Sequence, residues 1–124
     1  MISQHIKWIK SARNVKWRKS ISSLNLILTS HVYEQDHNGY THQEPGMLNH
    51  IICKDDDLTG IYLPIDSNTL ICCMNKCLKT KDKVNVIVAS KHLKPNYLNM
   101  NDAYKLVNDG VGILNFISDK DPDL

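Results

Sequence analysis

No apolar run in this sequence approaches the roughly 20 residues needed to cross a bilayer, and the amino-terminal MISQHIKWIK lacks the unbroken apolar core of a secretory signal. A cytoplasmic location is the expectation. An excess of one charge is lacking too. Fifteen Lys and Arg face 13 Asp and Glu, and a net charge of +2 is too small to argue for nucleic acid or an anionic membrane surface. Any basic residue that matters must act locally. The four cysteines, Cys53, Cys72, Cys73 and Cys77, form no C-x-x-C pair, so neither a thiolate zinc site nor a redox pair is indicated. Cys73 and Cys77 share a face of one helical stretch, which predicts buried, reduced thiols. Internal repeats and low-complexity linkers are also missing, and a composition of 42% hydrophobic and 23% charged residues over 124 positions suits one globular α/β unit.

What is present alternates between two periods. Ile2, Ile6 and Ile9 recur at helical spacing and predict an amphipathic helix to about Ala12. SLNLILTS, residues 23–30, is a near-continuous apolar run of strand length, as expected of a strand covered on both faces of a parallel sheet. A short helix over about Met47 to Cys53, a strand TGIYLP closed by Pro64, a helix opening with the cap-type Asp66, Ser67 and Asn68, and a strand VNVIVA complete a βαβ pattern. The predicted fold is α/β, a mostly parallel sheet with flanking helices, with strands near 24–29, 59–63 and 84–89. Beyond Pro95 a helix through Ala103, Leu106 and Val107 should stop at Gly110, and GILNFI reads as one more strand. A boundary near Pro95 divides the chain into 1–95 and 96–124.

Chemistry concentrates in the long polar loop after the first strand. Gln35, Asp36, His37, Asn38, His42 and Gln43 place six polar side chains within nine positions, and Gly39 permits a tight bend. His37 and His42 do not have a spacing diagnostic of zinc, and no metal site is assigned. Ligands of open α/β sheets gather beyond the carboxyl ends of the strands, where this loop and the Ser90 to Pro95 connection both begin.

SARNVKWRKSISSLNLILTS, QDHNGYTHQEPG, YLPIDSNTLI and VNVIVASK follow one another in an order and spacing that resemble phosphoketolases over nearly the whole chain, the QDHNGYTHQEPG loop being the specific part. The resemblance implies cleavage of xylulose 5-phosphate or fructose 6-phosphate by inorganic phosphate to acetyl phosphate and an aldose phosphate, with thiamine diphosphate and Mg2+ in the intact enzyme. It implies catalytic roles for His42 and His37, whose imidazoles titrate near neutrality. It implies substrate or phosphate binding by Arg13, Gln35, His37, Asn38 and Lys91, all converging on one cleft. Differences stand at Tyr33, Glu34 and Ser90, where the family usually has Trp, Arg and Gly, with milder ones at Tyr40 and Glu44.

By the same resemblance, residues 1–95 are the carboxyl-terminal portion of a thiamine diphosphate-binding domain of the pyrimidine type, and residues 96–124 start a transketolase C-terminal-like domain. The GDG motif with its following Asn, which holds magnesium and diphosphate in such enzymes, is not found in the sequence, and NDGVG at 108–112 reads as a helix cap. The expectation is therefore an internal fragment of an aldehyde-lyase, incompetent alone. Its partners are the sugar phosphate, phosphate and the remainder of the enzyme, a homo-oligomer when intact. The alternative is a non-catalytic phosphate or sugar-phosphate binding module, or a vestigial structural domain.

Overall fold

The computed structural model describes residues 1–29, 46–54 and 57–118. Helix α1 (Ile2–Arg13) precedes strand β1 (Leu24–Leu28); helix α2 (Gly46–Ile52), strand β2 (Thr59–Tyr62), helix α3 (Ser67–Lys79), strand β3 (Val84–Val88) and helix α4 (Met100–Asp109) follow. The three strands form one sheet in the order β1-β3-β2, parallel throughout, with Leu24 beside Val84 and Thr59 beside Val84 on the other flank. The α/β architecture and the three strands agree with the expectation. β3 takes the centre because every one of its five residues is apolar or able to bond internally, and all five are buried.

Alternation along β3 sends Val84, Val86 and Val88 to one face and Asn85 and Ile87 to the other. On the first face the valines meet Leu24, Leu26, Leu28 and Ile61, and α1 and α2 close over them with Ile6, Ile9 and Ile51. Full burial of a side chain such as Ile9 or Ile51 contributes about 1.5–3 kcal/mol, so this seam is the main reason α1 stays on the sheet. On the second face α3 packs Cys73 and Cys77 against Ile87, with Tyr62, Leu70, Met74 and Val107 at the margins. α3 covers the β3–β2 half, while Ile27 on β1 stays exposed.

A polar row crosses the second face. The Asn85 amide donates to Asn25 Oδ1 at 2.7 Å and to Thr80 Oγ1 at 2.8 Å, and Gly60 lies in register on the other side. A β-carbon on Gly60 would stand 2.9 Å from Asn85 Oδ1 and 3.0 Å from the Tyr62 ring, so glycine is required there by close approach.

One expectation needs correcting. GILNFI is not a strand, for Ile117 N and Ser118 N both donate to Leu114 O and coil the chain into a turn there. Its apolar residues Ile113, Phe116 and Ile117 are exposed, so this run lacks the sheet neighbour that an extended conformation needs.

Candidate functional site

Parallel, in-register pairing of β1 with β3 makes the two strands end together: Leu28 lies opposite Val88, and Ala89 N donates to Leu28 O at 2.7 Å. The polar loop and the Ser90 to Pro95 connection therefore start side by side at the carboxyl edge of the sheet. Gln35, His37, Asn38 and His42 lie outside the described residues, as do Tyr33, Glu34, Tyr40 and Glu44.

Lys91 stands three residues past the end of β3, half-buried, with its Nζ withdrawn from solvent. The turn before it is fixed by Ser90, whose Oγ accepts from His92 N at 3.0 Å and donates to His92 O at 3.1 Å. Ser90 has no positive φ. The backbone here thus makes no demand for glycine, and the serine that replaces it adds a side-chain clamp on the loop that carries Lys91. A cleft of about 110 Å3 opens alongside, lined by Pro64, Asp66, Ser67, Ala89, Ser90 and His92 among others.

Asp66 organises that edge, a role the cap-type DSN signal only half revealed. Its Oδ1 accepts from Thr69 N at 2.8 Å while Asp66 N donates to Thr69 Oγ1 at 3.0 Å, a capping box at the start of α3, and the Thr69 hydroxyl also lies 2.7 Å from Oδ1 as a donor. Its Oδ2 accepts from Tyr97 N and Leu98 N, both at 2.9 Å. Burial pushes its pKa up, but the donors from Thr69, Leu98 and Tyr97 together outweigh that and hold the carboxyl below its ordinary value. Asn68 Nδ2 adds a bond to Leu98 O at 2.7 Å, and Lys76 Nζ one to Val107 O at 2.6 Å. The chain beyond Pro95 is thereby tied to α3.

Arg13 lies elsewhere. It ends α1, and one guanidinium nitrogen donates to Asp57 O at 3.1 Å and to Asp82 O at 3.4 Å. Those carbonyls precede β2 and β3, so Arg13 sits at the amino edge of the sheet and Lys91 beyond the carboxyl edge. Among the described residues these two cations stand at different edges of the sheet, and the expected convergence with His37, Asn38 and His42 lies outside the described residues. The physical reason is connectivity: α1 runs toward the amino end of the strand it feeds, and its last residue is delivered to that edge.

Among the described residues no group of three His, Cys, Asp or Glu could hold a metal ion. NDGVG does act as a helix cap: Gly110 takes φ 84° and its N–H donates to Leu106 O. Asp109 and Gly110 thus close α4. The three thiols of α3 are buried. Burial, then Cys77 and Cys72, push the Cys73 thiol up to about 11, and burial likewise raises Cys77. Cys72, Cys73 and Cys77 are buried and free, and Cys53 is exposed and free. No helix among the described residues is long and apolar enough to cross a membrane.

The sequence profile of the family described as D-xylulose 5-phosphate/D-fructose 6-phosphate phosphoketolase matches residues 1–80. Along its whole length the chain is 49% identical to a "Probable phosphoketolase" of Clostridium acetobutylicum and 46% identical to one of Brucella abortus. It is 42% identical, again along its whole length, to "Probable phosphoketolase 2" of Nostoc sp.. The chain spans about 16% of each of these relatives.

Proposed function

Because the chain belongs to the phosphoketolase family, we propose that it is a segment of an enzyme that cleaves xylulose 5-phosphate or fructose 6-phosphate with inorganic phosphate, yielding acetyl phosphate and an aldose phosphate. The observation that carries this reading is 49% identity to a phosphoketolase relative sustained over the entire chain. A stand-alone binding module is not favoured by relatives of that kind. The family's general use of thiamine diphosphate places the carbanion chemistry on that cofactor, and no step through it is derived from the residues of this chain. Their part is to hold the sugar phosphate and phosphate and to move protons.

His42 and His37 are the proposed proton-transfer residues, since an imidazole near neutrality can both give and take a proton. Gln35, His37 and Asn38 contact substrate and phosphate. Lys91 supplies a point charge at the carboxyl edge, and its burial, which strips water from the ammonium, would strengthen its hold on a phosphoryl group. Arg13 is the proposed guanidinium donor to phosphate or substrate. Residues 1–95 belong in this proposal to the pyrimidine-type domain and 96–124 to the start of the next, with the Asp66 bonds to Tyr97 and Leu98 crossing that boundary. The intact enzyme is a cytoplasmic homo-oligomeric lyase, and this chain without the rest is not competent.

A chimera tests the reading. This chain, exchanged for the corresponding segment of the Clostridium acetobutylicum relative, should form acetyl phosphate from xylulose 5-phosphate and phosphate, measured as the hydroxamate. His42→Ala in that chimera should lower kcat by about 100-fold or more with the fold intact. A folded, cofactor-loaded chimera that makes none, or an unaffected His42 variant, refutes it.

A further inference from the structure

A crevice of about 430 Å3 runs along the outer margin of the sheet, where β2 has no strand beyond it among the described residues. Its floor is the run from Gly60 to Ile65. One wall is α3, through Thr69, Cys73 and Lys76, and the other is α4 with the coil that leads to Leu114. Two contacts hold the walls at this spacing. Lys76 Nζ donates to Val107 O at 2.6 Å, and Gly112 lies against Leu106 too closely for a β-carbon to fit between them. The crevice is therefore built by the packing of α4 on α3. Neither Arg13 nor Lys91 lines it.

Most of its lining is hydrocarbon. Leu63 and Val111 are 70% and 82% exposed, and Leu106, Val107 and Leu114 are half-buried, so an apolar guest would cover surface that water now wets. Its charge is of one sign. Among the described residues Lys76 is the only charged side chain in the lining, and no Asp or Glu stands there to neutralise it. The bond to Val107 O uses one of three ammonium protons and leaves two to donate. Cys73 offers no compensating anion. Burial first, then Cys77 and Cys72, push its thiol up to about 11, so it stays neutral at pH 7. Tyr62, raised above its ordinary value chiefly by burial, is neutral as well. Lys76 is half-buried among carbon groups, where water screens an ion pair less than on an open surface.

We propose that this crevice is a binding site for a small apolar monocarboxylate, with its hydrocarbon body between Leu63, Leu106, Val107 and Leu114 and its carboxylate on Lys76. The volume suits a single substituted ring, and one cation balances one carboxylate. Such a guest touches α3 and α4 at once. It adds to the bonds from Asp66, Asn68 and Lys76 that tie the chain beyond Pro95 to α3. The site stands on these contacts whether or not the catalytic reading holds.

The probe is 4-methylbenzoate, titrated into the 124-residue chain with the methyl resonances of Leu106, Val107 and Leu114 as the readout. It should shift them saturably, with an apparent Kd in the millimolar range normal for so few atoms. The neutral analogue 4-methylbenzamide keeps the shape and loses the charge, and should bind about tenfold more weakly. Acetate keeps the charge and loses the ring, and should not saturate. Lys76→Met keeps the apolar stem, and should bring the benzoate down to the affinity of the benzamide. Lys76→Arg should keep the preference for the benzoate. Lys79→Gln, on α3 but outside the lining, controls for net charge and should leave both affinities within about twofold. Bound 4-methylbenzoate should also slow proteolysis between residues 96 and 99. Equal affinities for benzoate and benzamide in the wild-type chain overturn the proposal, and that comparison needs no variant to fold. So do an absence of saturable shifts at these methyls and an unchanged benzoate preference in Lys76→Met.

Discussion

Asp66→Ala should be among the most damaging single changes away from the apolar core. The carboxylate is buried and accepts four hydrogen bonds, two that begin α3 and two that hold the backbone at Tyr97 and Leu98. Loss of an N-cap costs about 1 kcal/mol. Hydrogen bonds to a charged acceptor contribute roughly 1.5–3 kcal/mol each, and the two N–H groups left behind are partly buried. Allowing for water reaching those donors once the carboxylate is gone, the expected loss is about 3–5 kcal/mol in urea unfolding. Asp66→Asn sharpens the argument. Its one amide oxygen can serve the Thr69 end or the Tyr97–Leu98 end, but the NH2 then meets donors at the other, so the loss should be about 2–3 kcal/mol. Proteolysis between residues 96 and 99 should accelerate in both variants, since only the Asn68 bond to Leu98 would be left to hold that stretch, with the Lys76 bond and Val107 packing holding α4 further on. The sign with pH is fixed by the lowered pKa: the contribution is complete above the unfolded value of about 3.9 and disappears as pH falls through the lower folded value. The wild-type advantage over Asp66→Ala should therefore shrink on acidification. Variants within about 0.5 kcal/mol of wild type at pH 7 would refute the reasoning.

Gly60→Ala should cost about 1–3 kcal/mol, because its β-carbon would press on Asn85 Oδ1 and the Tyr62 ring, both held in packed positions; an unchanged urea midpoint would contradict this. Iodoacetamide at pH 8 should label Cys53 well before the other three, since Cys72, Cys73 and Cys77 are buried and the Cys73 thiol is pushed up to about 11; peptide mapping that finds Cys73 modified first would contradict it. The purified chain, supplied with thiamine diphosphate, magnesium, xylulose 5-phosphate and phosphate, should form no acetyl phosphate above a protein-free control.

Local pattern was enough for the sheet. SLNLILTS, TGIYLP and VNVIVA could be read as strands because each is a short apolar run between turn signals, and parallel order followed from the helices between them. Their lateral order was not readable. What puts β3 in the middle is that both its faces are covered, which depends on α1, α2 and α3 arriving from separate parts of the chain. GILNFI shows the limit of the same reasoning. Apolar residues in a row predict extension only if an edge is there to pair with, and the turn at Leu114 forms because local carbonyls are the nearest acceptors.

The candidate site divides along the same line. Lys91 could be placed from sequence, because a residue just past a parallel strand must stand at the carboxyl edge. Arg13 could not, although it lies in a stretch as similar to the family as any other. Its position depends on where α1 ends and on the carbonyls of Asp57 and Asp82, the latter in a left-handed residue, which lie 44 and 69 residues away in the chain. Similarity transfers a residue's chemistry but not its neighbours. The neighbours of Arg13 here are Arg18, Lys19 and Asp82, none of which its place in the motif could have told.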